Sequence, residues 1–314
     1  MEKQNSLRKG IFLGVLSAIT FGTIGTFVNL LGDYGMSTDA LTVILPFVLT
    51  IYFGIVIYLR NKQAFKIPKK MLFFLIVLGF VGFDGQNYCM NQAYIKLPFG
   101  LVAAIMFTNV FLVMIGSRIV FGNKITTLKI GAGVVCAVGV AMVLDLYTVI
   151  QTGGFSFDAS SLLWVLGGLV TIAGTYVGSK YAMEKEIDGL VVFFYMNLFA
   201  VLVWWAAVYS PIQMTQDIVN VIAAGGLPTF LAYVIITCVI CFHLWAAAIE
   251  AVDPSWVGIS YSFDPIVEIL LGFIIFNQTM NGLQISGVIL IFAAVCFVTY
   301  LDGKEATITA TNNV

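Results

Sequence analysis

Charge is what this sequence has least of. Only 10% of its 314 residues are Asp, Glu, Lys or Arg, and the formal net charge is −1. A soluble domain of this length needs far more polar surface than that, so a water-facing globule is excluded. Histidine is almost missing too. The chain has one, His243, and no ligand cluster of metal-site size lies near it, so a structural metal is not expected. The five cysteines, at 89, 136, 238, 241 and 296, all fall in apolar runs. Cys238 and Cys241 have CxxC spacing, but in such a run they read as small buried hydrophobes. No basic stretch interleaves with aromatics, which excludes a nucleic-acid surface. No phosphate-binding motif for ATP occurs, and no cofactor is implied.

What is present is apolar length. The chain is 60% hydrophobic with a mean hydropathy of +1.01. A spanning helix needs roughly 20 mostly apolar residues. Walking the chain predicts ten, at about 11–32, 38–59, 71–95, 99–121, 127–146, 162–181, 189–209, 228–250, 255–276 and 282–301. The basic pair Arg8 and Lys9 precedes the first run. That run is too long for a secretory h-region and no small-residue cleavage site follows it, so it reads as a retained span. With the N-terminus inside, every Lys and Arg except Lys96 falls on the cytoplasmic side. The positive-inside rule thus agrees with ten spans and with both termini cytoplasmic. The expected fold is an all-α integral membrane protein of the cytoplasmic membrane.

Ten spans that pause at 147–161 suggest two halves of five. The divisions are 1–150, 151–302 and a polar tail at 303–314. Because five is odd, similar halves would lie inverted. Shifting the first half by 156 residues carries Pro98 onto Pro254, Gly116 onto Gly272 and Gly131 onto Gly287. The stretch Phe21-Gly22-Thr23 also resembles Ala173-Gly174-Thr175 in the first helix of each half. Inverted repeats point to alternating access, with a solute site near the midplane.

Two segments carry a more specific likeness. They are AYIKLPFGLVAAIMFTNVFLVMIGSRIVFGNKITTLKIGAGVV (93–135) and AIEAVDPSWVGISYSFDPIVEILLGFIIFNQTMNGLQISGVIL (248–290). With the five-plus-five layout, they resemble the EamA-type, ten-helix branch of the drug/metabolite transporter superfamily. The likeness covers nearly the whole chain. The family pattern is a proline turn, a helix with a mid-span proline, then a short glycine/glutamate link into the last helix. Pro265 matches the mid-span proline, while Asn109 stands there in the first half. Gln278 replaces the linking glutamate in one half, and Asn123 or Gly122 in the other. The resemblance implies metabolite transport, with export favoured. The departures leave the solute open.

Three carboxylates fall at mid-span: Asp84, Asp264 and Glu268. Ionisable groups at that depth face the bundle interior and mark ion or solute paths. Asp264 and Glu268 share one helical face at i and i+4. Pro265 removes one backbone donor, which would free the carbonyl of Tyr261. The pair reads as a proton or cation coupling site, or as a structural pair satisfied by neighbouring helices. Asp84 heads a polar stripe with Asn87, Tyr88 and Asn91, as expected for a cavity wall. Asn109 and Asn197 are mid-span amides, able either to bind solute or to tie helices. His243 is either a proton relay or an interhelical partner. Among the aromatics, Tyr88 and Tyr261 are best placed for an organic cation, with Tyr176 and Trp256 as further candidates. Tyr195 belongs with the packing aromatics.

Three acids and no mid-span Lys or Arg favour a cationic or zwitterionic solute: an amine, a quaternary ammonium compound or an amino acid. The expected function is proton-coupled secondary transport. The other readings are an uncoupled facilitator of neutral metabolites and, from a different class, a channel or membrane scaffold. An intramembrane enzyme would need a constellation that His243 alone does not supply.

Overall fold

The computed structural model describes residues 2–60, 62–122, 125–152, 154–155, 157–251 and 263–312. Every element among the described residues is helical. The long apolar helices are α1 (Phe12–Asp33), α2 (Thr38–Arg60), α3 (Lys69–Lys96), α4 (Phe99–Phe121), α5 (Thr127–Val143), α6 (Ala159–Met183), α7 (Gly189–Ala207), α8 (Leu227–Trp245), α9 (Asp264–Phe276) and α10 (Gly282–Leu301).

Eight of these are long and apolar enough to span a membrane. A ninth is reached if α5 and the short helix Leu146–Thr152, bent from it by 46°, count as one span. The described part of α9 has 13 residues, below a span's length. Residues 252–262, including Pro254, Trp256 and Tyr261, lie outside the described residues. Helicity continues beyond α10 to Asn312, where a polar tail was expected. Lys304, Glu305 and Ala306 are good helix formers, and an established helix propagates at little cost.

Several helices are interrupted, and the interruptions have local causes. In α1 the regular pattern breaks at Gly22 and Thr23. There the Thr20 and Thr23 hydroxyls donate back to the Ser17 and Thr20 carbonyls, at 2.7 and 2.6 Å. Such back-bonding competes with the helical ladder. In α4 the break lies at Phe107 and Thr108, where the Thr108 hydroxyl donates to Ile105 O at 2.7 Å. Pro46 sits inside α2, and Thr50 Oγ1 donates to its carbonyl at 2.8 Å.

Two helices widen instead of breaking. Leu78–Asp84 in α3 and Tyr233–Ile240 in α8 are π-helical. In each the N–H that closes the stretch reaches back five residues, Gly85 to Phe80 O and Cys241 to Ile236 O. π stretches are rare and recur at functional sites. In α3 the widening brings the backbone onto α7. A Cβ added at Gly79 would sit 2.3 Å from Met196 O, so only glycine permits this approach.

The core runs through α2, which packs against α7 and buries Leu41, Val43, Leu49 and Phe53. α5 packs along α10 and α1 along α8. The short helix Pro211–Ala223 bridges α7 and α8. A capping box formed by Ser210 and Gln213 starts it.

Candidate functional site

Asp264 and Glu268 open α9. Asp264 is the first residue of the helix and Pro265 lies in its first turn. The carbonyl of Tyr261 lies outside the described residues. Glu268 is buried and faces α3, where the Tyr94 hydroxyl donates to Glu268 Oε1 at 2.5 Å. Asp264 is half-buried, and its Oδ1 has no partner among the described residues. It lies within electrostatic reach of Glu268, Tyr94, Tyr176 and Cys241. Tyr176, on α6, keeps 46% of its surface accessible while interacting with Asp264.

α1 wedges between these partners at its glycines. A Cβ on Gly22 would lie 2.6 Å from Val267 Cβ and 2.8 Å from Asp264 O. One on Gly25 would lie 2.7 Å from the Tyr94 ring. Asn29 then clamps the Tyr94 carbonyl with a 2.8 Å hydrogen bond.

The third carboxylate is elsewhere. Asp84 ends the π stretch of α3, fully buried, and neither carboxyl oxygen has a partner among the described residues. That stretch packs against α6 and α7, whereas α9 packs chiefly on α4. The acids therefore fall among different neighbours, Asp84 on one side and the α9 pair on the other.

The stripe that follows Asp84 spreads over three helices. Asn87 is half-buried, with Nδ2 unpartnered among the described residues. Tyr88 packs edge-on to Trp164 of α6 and tilted against Trp204 of α7, at 5.6 and 5.4 Å between ring centroids. Asn91 is buried and donates to Thr42 Oγ1 of α2 at 3.1 Å. Asn197 is buried in α7, donates to Phe193 O at 2.7 Å, and leaves Oδ1 unpartnered among the described residues. Asn109 restarts α4 after its break and is half-buried. His243 shares a 2.6 Å hydrogen bond through Nδ1 with the Tyr52 hydroxyl of α2, at an exposed position. Tyr195 is a packing aromatic whose hydroxyl donates to Phe65 O at 2.6 Å.

Sequence reasoning missed Tyr94, Tyr52 and the glycines of α1. Tyr94 was within reach, since it continues the Asp84–Asn87–Asn91 stripe by one more step of three. Gly22 stood out only in the repeat match with Gly174, and Tyr52 and Gly25 stand in no pattern that marks them.

At the Lys96 end the bundle is laced. Gln92 donates to Thr38 Oγ1 at 2.8 Å, and the Phe99 N–H to Gln278 Oε1 at 2.8 Å. Asn281 donates to Asp145 at 2.8 Å. The Ser37 and Tyr209 hydroxyls donate to Asp217 Oδ2 at 2.5 and 2.6 Å. Burial, and next the bond to Asp217, push the Tyr209 phenol above its ordinary range.

Two apolar cavities are lined by none of the three acids. One of about 690 Å³ runs between α3, α4 and α6, lined by residues such as Phe74, Gly116 and Tyr181. The other, about 200 Å³, lies between α4, α9 and α10 beside Pro265. Buried polar chemistry, not cavity size, marks the candidate site.

Comparison with known proteins agrees with this layout. A model of the EamA-like transporter family matches residues 8–145 and again 159–300. Protein PecM of Dickeya dadantii (strain 3937) is 23% identical over 247 residues, 78% of either chain. A solved crystal structure shares the fold at a TM-score of 0.56 and 16% identity, over 94% of this chain and 98% of its own.

Proposed function

As the chain belongs to the EamA-like transporter family, it is a multi-pass membrane transporter, and we propose that it is a proton-coupled one. It moves a small cationic or zwitterionic organic solute across the cytoplasmic membrane, in the direction of export. The observation that carries this reading is the acidic pair of α9, with Glu268 held by Tyr94 from the other half of the chain. Two carboxyls a helical turn apart in a low dielectric disfavour joint ionisation, so the pair suits the exchange of a proton for a cation. Asp84 adds a second acidic group, and Asn87, Tyr88, Asn91, Asn109, Tyr176, Asn197, His243, Trp256 and Tyr261 are the residues proposed to meet solute.

The proposed mechanism is alternating access between two inverted five-helix halves. The double family match supports it. So does the placing of the helix irregularities. A shift of 156 residues carries the π stretch Leu78–Asp84 onto 234–240, inside the second π stretch Tyr233–Ile240. With the orientation of the positive-inside rule, the laced Lys96 end faces outward, and this conformation is closed on that side.

The test is reconstitution into liposomes that report internal pH, screened with choline, putrescine, lysine and neutral amino acids. Coupling predicts that at least one cationic or zwitterionic solute moves protons, and that Asp264→Asn combined with Glu268→Gln ends this. Solute movement that ignores the pH gradient and survives the double substitution overturns the proposal and favours an uncoupled facilitator.

A further inference from the structure

Tyr94 is bound at three points, one on α9 and two on α1. Its hydroxyl donates to Glu268 of α9 at 2.5 Å. Its ring lies on Gly25 of α1, where a Cβ would come within 2.7 Å. Its carbonyl accepts from Asn29 of α1 at 2.8 Å, and the same amide donates to Gly25 O at 3.1 Å. Phe99 closes the remaining side, edge-on at 5.8 Å. The residue is buried and two positions from the end of α3. Gly22 seats the same α1 against Asp264 and Val267. Contacts therefore close a loop from α1 through Tyr94 to Glu268, along α9, and back to α1. A long polar side chain used for packing alone would not need a carboxylate at its tip.

We propose that Tyr94 is the positioning residue of the acidic pair, fixing the Glu268 carboxyl against the first half of the chain and loosening that hold when a proton or a cationic solute takes the carboxylate. The second clause rests on the proton-coupled reading above; the first stands without it. A hydroxyl bound to an ionised carboxylate makes a bond about twice as strong as one to a neutral acceptor. Neutralising Glu268 therefore weakens the tie between α3 and α9 without breaking any other contact of Tyr94. Among the described residues, the titratable groups that act on the pair are Tyr94 from α3, Tyr176 from α6 and Cys241 from α8, with Asp264 on α9 itself. None of them is basic, so Tyr94 is the donor that this group offers to Glu268. The glycine at 25 is then explained as the surface that lets the ring reach.

Tyr94→Phe keeps the ring and removes the donor. The first measurement is infrared difference spectroscopy of the full-length reconstituted protein, titrated with acid, with Glu268→Gln identifying the Glu268 carboxyl band. Tyr94→Phe should move that C=O band to higher wavenumber, as a carbonyl does when it loses a donor. Gly25→Ala, which displaces the ring but keeps the hydroxyl, should move it in the same direction. A band unmoved by Tyr94→Phe overturns the positioning role, whatever the protein transports. The second measurement is choline- or lysine-driven proton movement in liposomes. There Tyr94→Phe should lower the rate about tenfold, the scale of one hydrogen bond to a charged group. If the band moves but the rate does not, Tyr94 positions Glu268 without linking it to movement, and the second clause falls. If Glu268→Gln itself leaves proton movement intact, the coupled reading fails while the band still decides the positioning role.

Discussion

The two acidic centres solve the same physical problem differently. Glu268 takes its donor from Tyr94, on a helix of the other half, and that contact is backed by α1. Asp84 has no partner among the described residues and is fully buried in a widened turn of its own helix. A partnered carboxyl is wired to neighbouring helices, so a change in its charge is felt as a change in packing. An unpartnered one is felt locally, as a burial cost on the helix that bears it. Of the two, the α9 pair is therefore the better placed to turn ion binding into movement.

The sharpest way to break this contrast is to make both sites apolar. Glu268→Leu should strand the buried Tyr94 hydroxyl and lower stability by about 1–3 kcal/mol. Asp84→Leu removes a buried carboxyl that has no partner among the described residues, so it should raise stability by a similar amount, about 1–3 kcal/mol. Thermal unfolding in detergent reads both, and equal signs would erase the distinction between the centres.

An effect of comparable size is expected at Gly22. Its Cβ would meet the backbone carbonyl of Asp264, so Gly22→Ala must push α1 from α9. A loss of about 1–3 kcal/mol follows if the helices cannot yield. Gly32 and Gly174, which face nothing within 4 Å, serve as controls and should tolerate alanine.

At the ends of the bundle the effects shrink. Tyr52→Phe breaks the exposed tie to His243 and should cost no more than about 1 kcal/mol. Tyr209→Phe should cost about the same by losing the bond to Asp217. Because the Tyr209 phenol is raised in the fold, its contribution is complete below the unfolded value of about 10 and fades as pH rises through the higher folded value. The gap between wild type and Tyr209→Phe in a stability profile should thus stay level to about pH 10 and narrow beyond it. A gap that opens with alkali would contradict the assigned bond.

Much of the frame is legible in composition and run length. The apolar runs that became α2, α4 and α7 need no tertiary information, because lipid demands internal hydrogen bonding and helices supply it. The 13 described residues of α9 are less legible, since their two carboxylates and Pro265 interrupt an otherwise apolar run. The π stretches of α3 and α8 are not legible at all. They depend on close approach to neighbours, as Gly79 against Met196 shows, and periodicity alone carries no sign of them. The site was half readable. Depth in the membrane flagged Asp84, Asp264 and Glu268 correctly as buried or half-buried polar groups. It did not separate them into two centres, because that depends on which helices α3 and α9 meet. Tyr94 went unread because a tyrosine near a helix end looks like an interfacial anchor until its partner is known.

The central claim is that the α9 pair couples proton movement to solute movement. Its most direct test is solute accumulation by liposomes under an imposed pH gradient, comparing wild type, Asp84→Asn and the combined Asp264→Asn, Glu268→Gln variant. The account predicts that wild type accumulates a cationic or zwitterionic solute against its gradient and that the combined variant only equilibrates it, with Asp84→Asn keeping some accumulation. Accumulation by the combined variant equal to that of wild type would contradict it.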